Sequence, residues 1–221
     1  MPWFPVARRR GRRGVVVWIL PRKAAVAAVR ALLLLAAAAM VMLLALYVAY
    51  PLPMRELIER EAAACGLDPL LIAAVARRES GFRPGAVSER GARGLMQVMP
   101  ETGAWIAREI GLRDYSSEQL FDPAVNVRLG CWYLNYLLRR FDGDVVAALA
   151  AYNSGEGTVG EWIRHGQWHP GQGAGAIPYG ETRHFVRNVL RDYRLYRLLY
   201  RELPRVWPAL VASARIPRPG S

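Results

Sequence analysis

Residues 31–50 read ALLLLAAAAMVMLLALYVAY, twenty positions without a charged side chain. At about 1.5 Å of rise per residue, a helix of that length crosses a bilayer core of roughly 30 Å. The flanks set its direction. Arg8, Arg9, Arg10, Arg12, Arg13, Arg22, Lys23 and Arg30 all precede the run, and the first acidic residue of the chain is Glu56. Positive charge massed on one side orients a membrane helix with that side in the cytoplasm. The expected layout is a basic cytoplasmic tail over 1–30, a single-pass transmembrane signal anchor over 31–50, and everything after it extracytoplasmic. A cleaved signal peptide competes with this reading. Its apolar core typically spans about 7–15 residues before a small-x-small site. The run here is longer and leaves through Leu46-Tyr-Val-Ala-Tyr-Pro-Leu-Pro53 without Ala-x-Ala, which favours an uncleaved anchor.

The net charge of +12 divides accordingly. Beyond the tail there are 22 basic and 18 acidic residues, a mild excess suited to a polyanionic envelope. No basic stripe interleaved with aromatics marks a nucleic-acid surface, so no nucleic acid is expected as a partner. Cys65 and Cys131 fall in separate predicted helices, with no CxxC and no adjacent histidine, which argues against a metal site. One disulfide and two unpaired buried thiols both remain open.

The rest of the chain reads as short helices with explicit start signals. One covers Arg55–Ala64 and stops at Gly66. Asp68-Pro69 supplies an N-cap and a first-turn proline for a helix ending at Glu79. The stretch 80–95 has four glycines, a proline and no sustained period, so it is a loop. Helices follow over 100–110, from Asp122-Pro123 to about Phe141, from the Asp144 cap to Ala151, over 158–165 and over 181–200. Residues 166–176 form a glycine-rich loop, and 203–221 a Pro/Arg-rich tail. The expectation is one mainly α domain over 51–202.

Glu79 is the first candidate for chemistry. Ile72, Val75, Ala76 and Glu79 recur at i, i+3, i+4 and i+7, which puts the carboxyl in line with an apolar helix face. Desolvation there favours the protonated acid, and an acid still protonated near neutral pH is able to protonate a leaving oxygen. Arg77 and Arg78 point elsewhere on the helix. Three further segments stand out: Gly94-Leu-Met-Gln-Val-Met-Pro100, Ala151-Tyr-Asn-Ser-Gly155 and Ile177-Pro-Tyr-Gly-Glu-Thr-Arg183.

In that order and spacing the segments resemble the soluble lytic transglycosylase catalytic domain family, related in fold to goose-type lysozyme. The matching residues are Glu79-Ser80 with Phe82, Ser88 nine positions after the glutamate, Gly91 to Gln97, Asn126 to Gly130, Tyr152 to Gly155 and Pro178 to Arg183. The match covers roughly residues 55–200. The resemblance implies a lysozyme-like helical domain acting on peptidoglycan glycan strands in a bacterial envelope, with envelope or cell-wall machinery as possible partners. It implies that Glu79 is the single acid/base. Ser88 hydrogen-bonds near that carboxyl or the substrate, and Met96 and Gln97 line the groove against the sugar beside the cleaved bond. Tyr152 and Asn153 face Glu79 across the cleft, the tyrosine by hydrogen bond and the asparagine toward an N-acetyl group. Glu181 lies further along the groove.

An ordinary glycosidase uses two carboxylates, and no aspartate in these segments is an obvious second. A transglycosylase does without it, because the attacking hydroxyl belongs to the same sugar. No metal and no organic cofactor are called for. Aromatic surfaces for sugar faces are available from Trp105, Trp132, Trp162, Trp168, Tyr152 and Tyr179. Trp168, in the glycine-rich loop, is the expected exposed one. The scattered His165, His169 and His184 read as surface residues. Two rivals stand beside this reading: a hydrolytic muramidase that drafts Glu181 or Glu156 as second carboxylate, and a catalytically inactive glycan-binding scaffold.

Overall fold

The computed structural model describes residues 22–204 of the chain, which falls into two units that meet between Ala49 and Tyr50. The expected basic tail up to residue 21 and the tail from 205 onward lie outside the described residues. The first unit is a single helix, α1 (Arg22–Ala49), with no buried residue. At about 1.5 Å per residue it exceeds the hydrocarbon thickness of a bilayer. Its valines, its methionines and most of its leucines are exposed.

The second unit is helical. Its elements are α2 (Arg55–Ala64), α3 (Pro69–Ser80), α4 (Pro100–Glu109), α5 (Pro123–Arg140), α6 (Val145–Ser154), α7 (Glu156–Arg164) and α8 (Gly180–Arg197). Short 3₁₀ turns occupy Ser117–Phe121 and Ala174–Ala176, and a π turn covers Leu198–Glu202. Among the described residues the only β pairing is a pair of isolated bridges, Val87 with Arg93 and Arg93 with Val98.

Aspartates start three of the helices. Asp68 accepts from the Leu70 N–H at 3.0 Å, Asp122 from Ala124 and Val125 at 2.8 and 3.0 Å, and Asp144 from Ala147 at 2.9 Å. Each satisfies donors that the first turn leaves unpaired. Leu70 through Ala76 are all buried, so α3 is apolar around its circumference and runs through the core, with α8 and α2 packed on it. It stops at Gly81, in the left-handed region at φ 62°.

Several boundaries differ from the sequence reading, among them the start of α7 at Glu156 and the end of α8 at Arg197. Helix α6 continues through Ser154, because the chain turns only at Gly155 (φ 90°). Tyr152 and Asn153 therefore sit on a helical turn. The 3₁₀ turn at 117–121, closed by a reciprocal cap between Ser116 and Gln119, carries no apolar period and was not anticipated.

The loop between α3 and α4 is held from α5. The side-chain oxygen of buried Asn126 accepts from the Met96 N–H at 2.7 Å, and its amide donates to Arg93 O and Leu120 O, both at 2.8 Å. At Gly94 (φ 77°) a Cβ would stand 2.2 Å from Leu120 O and 2.3 Å from the Asn126 amide nitrogen. Glycine is needed there on both counts. Ser80 closes the other side by donating to Leu95 O at 2.8 Å.

Candidate active site

A cavity of about 700 Å³ opens where the end of α3, the α3–α4 loop, α5, α6 and the start of α8 converge. Of the residues expected at the site, Glu79, Ser88, Gln97, Tyr152, Asn153 and Glu181 all line it. They come from segments up to 102 positions apart in sequence.

Glu79 sits on the last turn of α3, following the buried face made by Ile72, Val75 and Ala76. Burial raises its pKa to about 8, and no neighbouring cation offsets that shift. At neutral pH the group is mainly the neutral acid and carries a transferable proton. Tyr152 faces it from α6. Burial, and after it the Glu79 carboxyl, push the Tyr152 phenol well above its ordinary value. The phenol hydrogen goes to the Met96 carbonyl at 2.8 Å, where the sequence reading had it bonded to Glu79. A phenol has one hydrogen, and the loop carbonyl receives it.

Met96 departs from expectation in a second way. Its side chain is fully buried and is absent from the cavity lining. A Cβ on Gly130 of α5 would lie 2.5 Å from its sulfur, so the thioether fills the space that Gly130 leaves open. Met96 packs the loop onto α5 and reaches the site through its carbonyl oxygen. Gln97 is strained at φ 50° and does line the cavity. Its amide nitrogen donates to Gly94 O at 2.9 Å and Ala86 O at 3.2 Å. That leaves the amide oxygen as the group it offers a ligand. The hydroxyl of Ser88 accepts from the Ala92 N–H at 3.0 Å, which ties down the loop at the cavity edge.

Arg183 explains the segment at the start of α8. It donates to Ile177 O at 2.8 Å and Pro178 O at 3.0 Å, folding the 177–179 turn back so that exposed Glu181 stands at the cavity.

The aromatic expectations change most. Trp168 is completely buried, its indole N–H 3.3 Å from Gly173 O. The glycine-rich loop folds over the ring instead of displaying it. Trp162 is buried as well. Tyr133 of α5 was missed. It lines the cavity against Tyr152, with ring centroids 5.4 Å apart, and burial lifts its pKa to about 12. A helical signal for it existed: Asn126, Gly130 and Tyr133 recur at i, i+4 and i+7, which places all three on the face of α5 toward the loop. Glu89, Arg90 and Thr102 also line the cavity and were not anticipated. His165, His169 and His184 are exposed. Cys65 and Cys131 are both free thiols, and burial raises the pKa of each.

Residues 56–172 match the family model described as the Transglycosylase SLT domain, more than half of the chain. The chain belongs to the transglycosylase SLT domain family. Among relatives of this SLT-domain chain, the soluble lytic murein transglycosylase of Escherichia coli (strain K12) is 34% identical over 170 residues, covering 72% of this chain and 25% of that protein. Membrane-bound lytic murein transglycosylase C of Histophilus somni is 38% identical over 112 residues, covering 47% of this chain and 31% of that protein. The X-ray structure of an inactive Glu-to-Gln mutant of lytic transglycosylase Slt from Pseudomonas aeruginosa superposes with a TM-score of 0.64 at 39% identity, over 69% of this chain and 25% of that one. The SLT-domain chain thus has their mainly helical, lysozyme-like fold. It spans about a quarter of the length of the soluble relatives.

Proposed function

We propose that this chain is a peptidoglycan lytic transglycosylase that cleaves the β-1,4 bond between N-acetylmuramic acid and N-acetylglucosamine, with Glu79 as its single acid/base. The observation that carries the reading is the Glu79 carboxyl, raised to about 8 by burial and opening on a cavity able to take sugar rings. The protonated acid gives its proton to the glycosidic oxygen as the bond to the anomeric carbon breaks. The N-acetyl group of the muramic sugar supports the cationic centre, with Asn153 beside it. The Glu79 carboxylate then takes the proton of the muramic C6 hydroxyl while that oxygen bonds to the anomeric carbon. Glu79 ends protonated, as it began, and the product carries a 1,6-anhydromuramic end. A nucleophile within the same sugar has a high effective concentration, so no second carboxylate is needed to activate water. Gln97 and Glu181 contact the sugars along the cavity.

The relatives support the substrate: their names carry murein, and some are membrane-bound. Helix α1 supports an anchor in the bacterial cytoplasmic membrane with the N-terminus inside, on its length, its apolar composition and the charge before it. One observation favours a second reading. Glu181 lines the same cavity as Glu79, whereas Glu156 is occupied by Tyr136 at 2.9 Å and Arg140 at 2.6 Å, outside the lining. A hydrolytic muramidase would draft Glu181 to activate water.

Mass spectrometry of muropeptides released from purified peptidoglycan by the full chain in detergent, with Glu79→Gln as control, separates these. Fragments one water lighter than hydrolysis products, and unreactive to borohydride, are expected. Reducible muramic ends would make the protein a muramidase with Glu181 as base. No release by folded protein would make it a glycan-binding scaffold.

A further inference from the structure

Asp192 of α8 is completely buried and absent from the cavity lining, yet three arginines converge on it. Arg78 donates to its Oδ2 at 2.5 Å, the Arg77 guanidinium stands 3.4 Å from the same oxygen, and Arg191 bonds Oδ1 at 3.2 Å. The Tyr50 hydroxyl adds a contact to Oδ1 at 3.4 Å, and its ring lies 4.4 Å under the Arg77 guanidinium. A buried carboxylate is costly and is retained where its partners compensate it. Two of those partners, Arg77 and Arg78, are the residues immediately before Glu79 on the last turn of α3. At about 100° per residue they project from other sides of the helix than Glu79 does. Their side chains are long enough to swing toward the carboxyl unless something holds them away. Helices α3 and α8 form the most extensive helix pairing among the described residues.

We propose that Asp192 is a positioning residue for Glu79: it holds Arg77 and Arg78 on the α8 side of α3, keeping both guanidiniums off the catalytic carboxyl and fixing the turn that presents it. The proposal rests on Glu79 acting as the acid. The absence of any cation among the causes of the raised Glu79 pKa agrees with the geometry. Released arginines would act in the opposite sense, since a cation within a few ångströms lowers a carboxyl pKa by roughly 1–3 units. The other ionisable groups lining the cavity with Glu79 are Glu89 and Arg90 from the loop, Tyr133 from α5, Tyr152 from α6 and Glu181 from α8, and the variants below leave all of them in place.

The test is the pH dependence of kcat/KM of the full chain in detergent. Activity that needs protonated Glu79 falls as pH rises through its pKa. Asp192→Asn is expected to move that fall to lower pH by about one unit or more, while Asp192→Glu, which keeps the charge, restores the wild-type midpoint. Arg78→Gln, which leaves Asp192 paired with Arg77 and Arg191 and so does not depend on Asp192→Asn folding, is expected to leave the midpoint in place. A midpoint unmoved in folded Asp192→Asn, or one raised by a full unit in Arg78→Gln, would overturn the proposal. Titrating the ¹³C-labelled Glu79 carboxyl in the same proteins reads the midpoint without turnover. A midpoint that behaves as expected in a protein that releases no anhydro product would sink the assigned reaction and leave this arrangement standing.

Discussion

Two carboxyls in this domain leave water on neighbouring helices, and they meet the cost in opposite ways. Asp192 on α8 is surrounded by the guanidinium groups of Arg77, Arg78 and Arg191. Glu79 on α3 has no cation lowering its pKa, and burial alone raises it to about 8. A desolvated carboxyl either acquires a cation or keeps its proton. The first solution ties helices together. The second leaves a group that costs stability and holds a proton for transfer.

The largest effect expected from this contrast is on activity. Glu79→Gln keeps the shape of the side chain and removes the proton donor, so turnover should fall by about 10³-fold or more, with glycan binding retained in a pull-down on purified peptidoglycan. Gln at this position with more than about a tenth of wild-type rate would take Glu79 out of the acid role. General acid catalysis alone is typically worth about 10²–10⁴-fold.

Stability is the next place to break the comparison. The folded pKa of Glu79 lies above its ordinary 4.5. Its favourable contribution is therefore complete below pH 4.5 and is lost as pH rises through about 8, because the unfolded chain releases that proton first. Glu79→Gln should raise the folding stability at pH 8 by on the order of a few kcal/mol, and change it little at pH 4.5. Asp192→Asn should do the reverse in sign, costing about 3 kcal/mol at neutral pH by leaving arginines without their buried partner. Calorimetric melts of the two variants across pH read both. Two variants that destabilise alike would erase the distinction.

A smaller effect sharpens the site side. Tyr152→Phe removes the hydroxyl that donates to Met96 O. The expected cost is about 1 kcal/mol in stability, together with a fall in kcat of about tenfold as the loop carrying Gln97 loosens against α6. Equal kcat in the two proteins would remove the Tyr152 hydroxyl from the account.

Much of the framework was readable from local signals. Asp68-Pro69, Asp122-Pro123 and Asp144 each announce a helix start, because a cap and its helix are adjacent in sequence. Glu79 was readable too, since one helical period shows the carboxyl in line with an apolar face. What escaped depends on distant segments. Asp192 bonds Arg78 from 114 positions away. Tyr133 belongs to the cavity only because α5 packs on α6. Trp168 was expected in solvent because its loop is rich in glycine, yet those glycines let the loop close over the indole and accept its N–H. Met96 was placed in the groove by resemblance. Gly130, 34 positions later, makes the pocket that draws its side chain into the core. The Asn126–Gly130 segment was recognisable as a pattern, and only the fold shows that it holds the α3–α4 loop in place.

The central claim is that Glu79 still holds its proton at neutral pH, and titrating its carboxyl tests this most directly. The ¹³C carboxyl resonance of the labelled full chain in detergent, assigned by its loss in Glu79→Gln, should titrate with a midpoint near 8. A midpoint near the ordinary 4.5 would mean a glutamate already ionised at neutral pH, and would contradict its role as the acid.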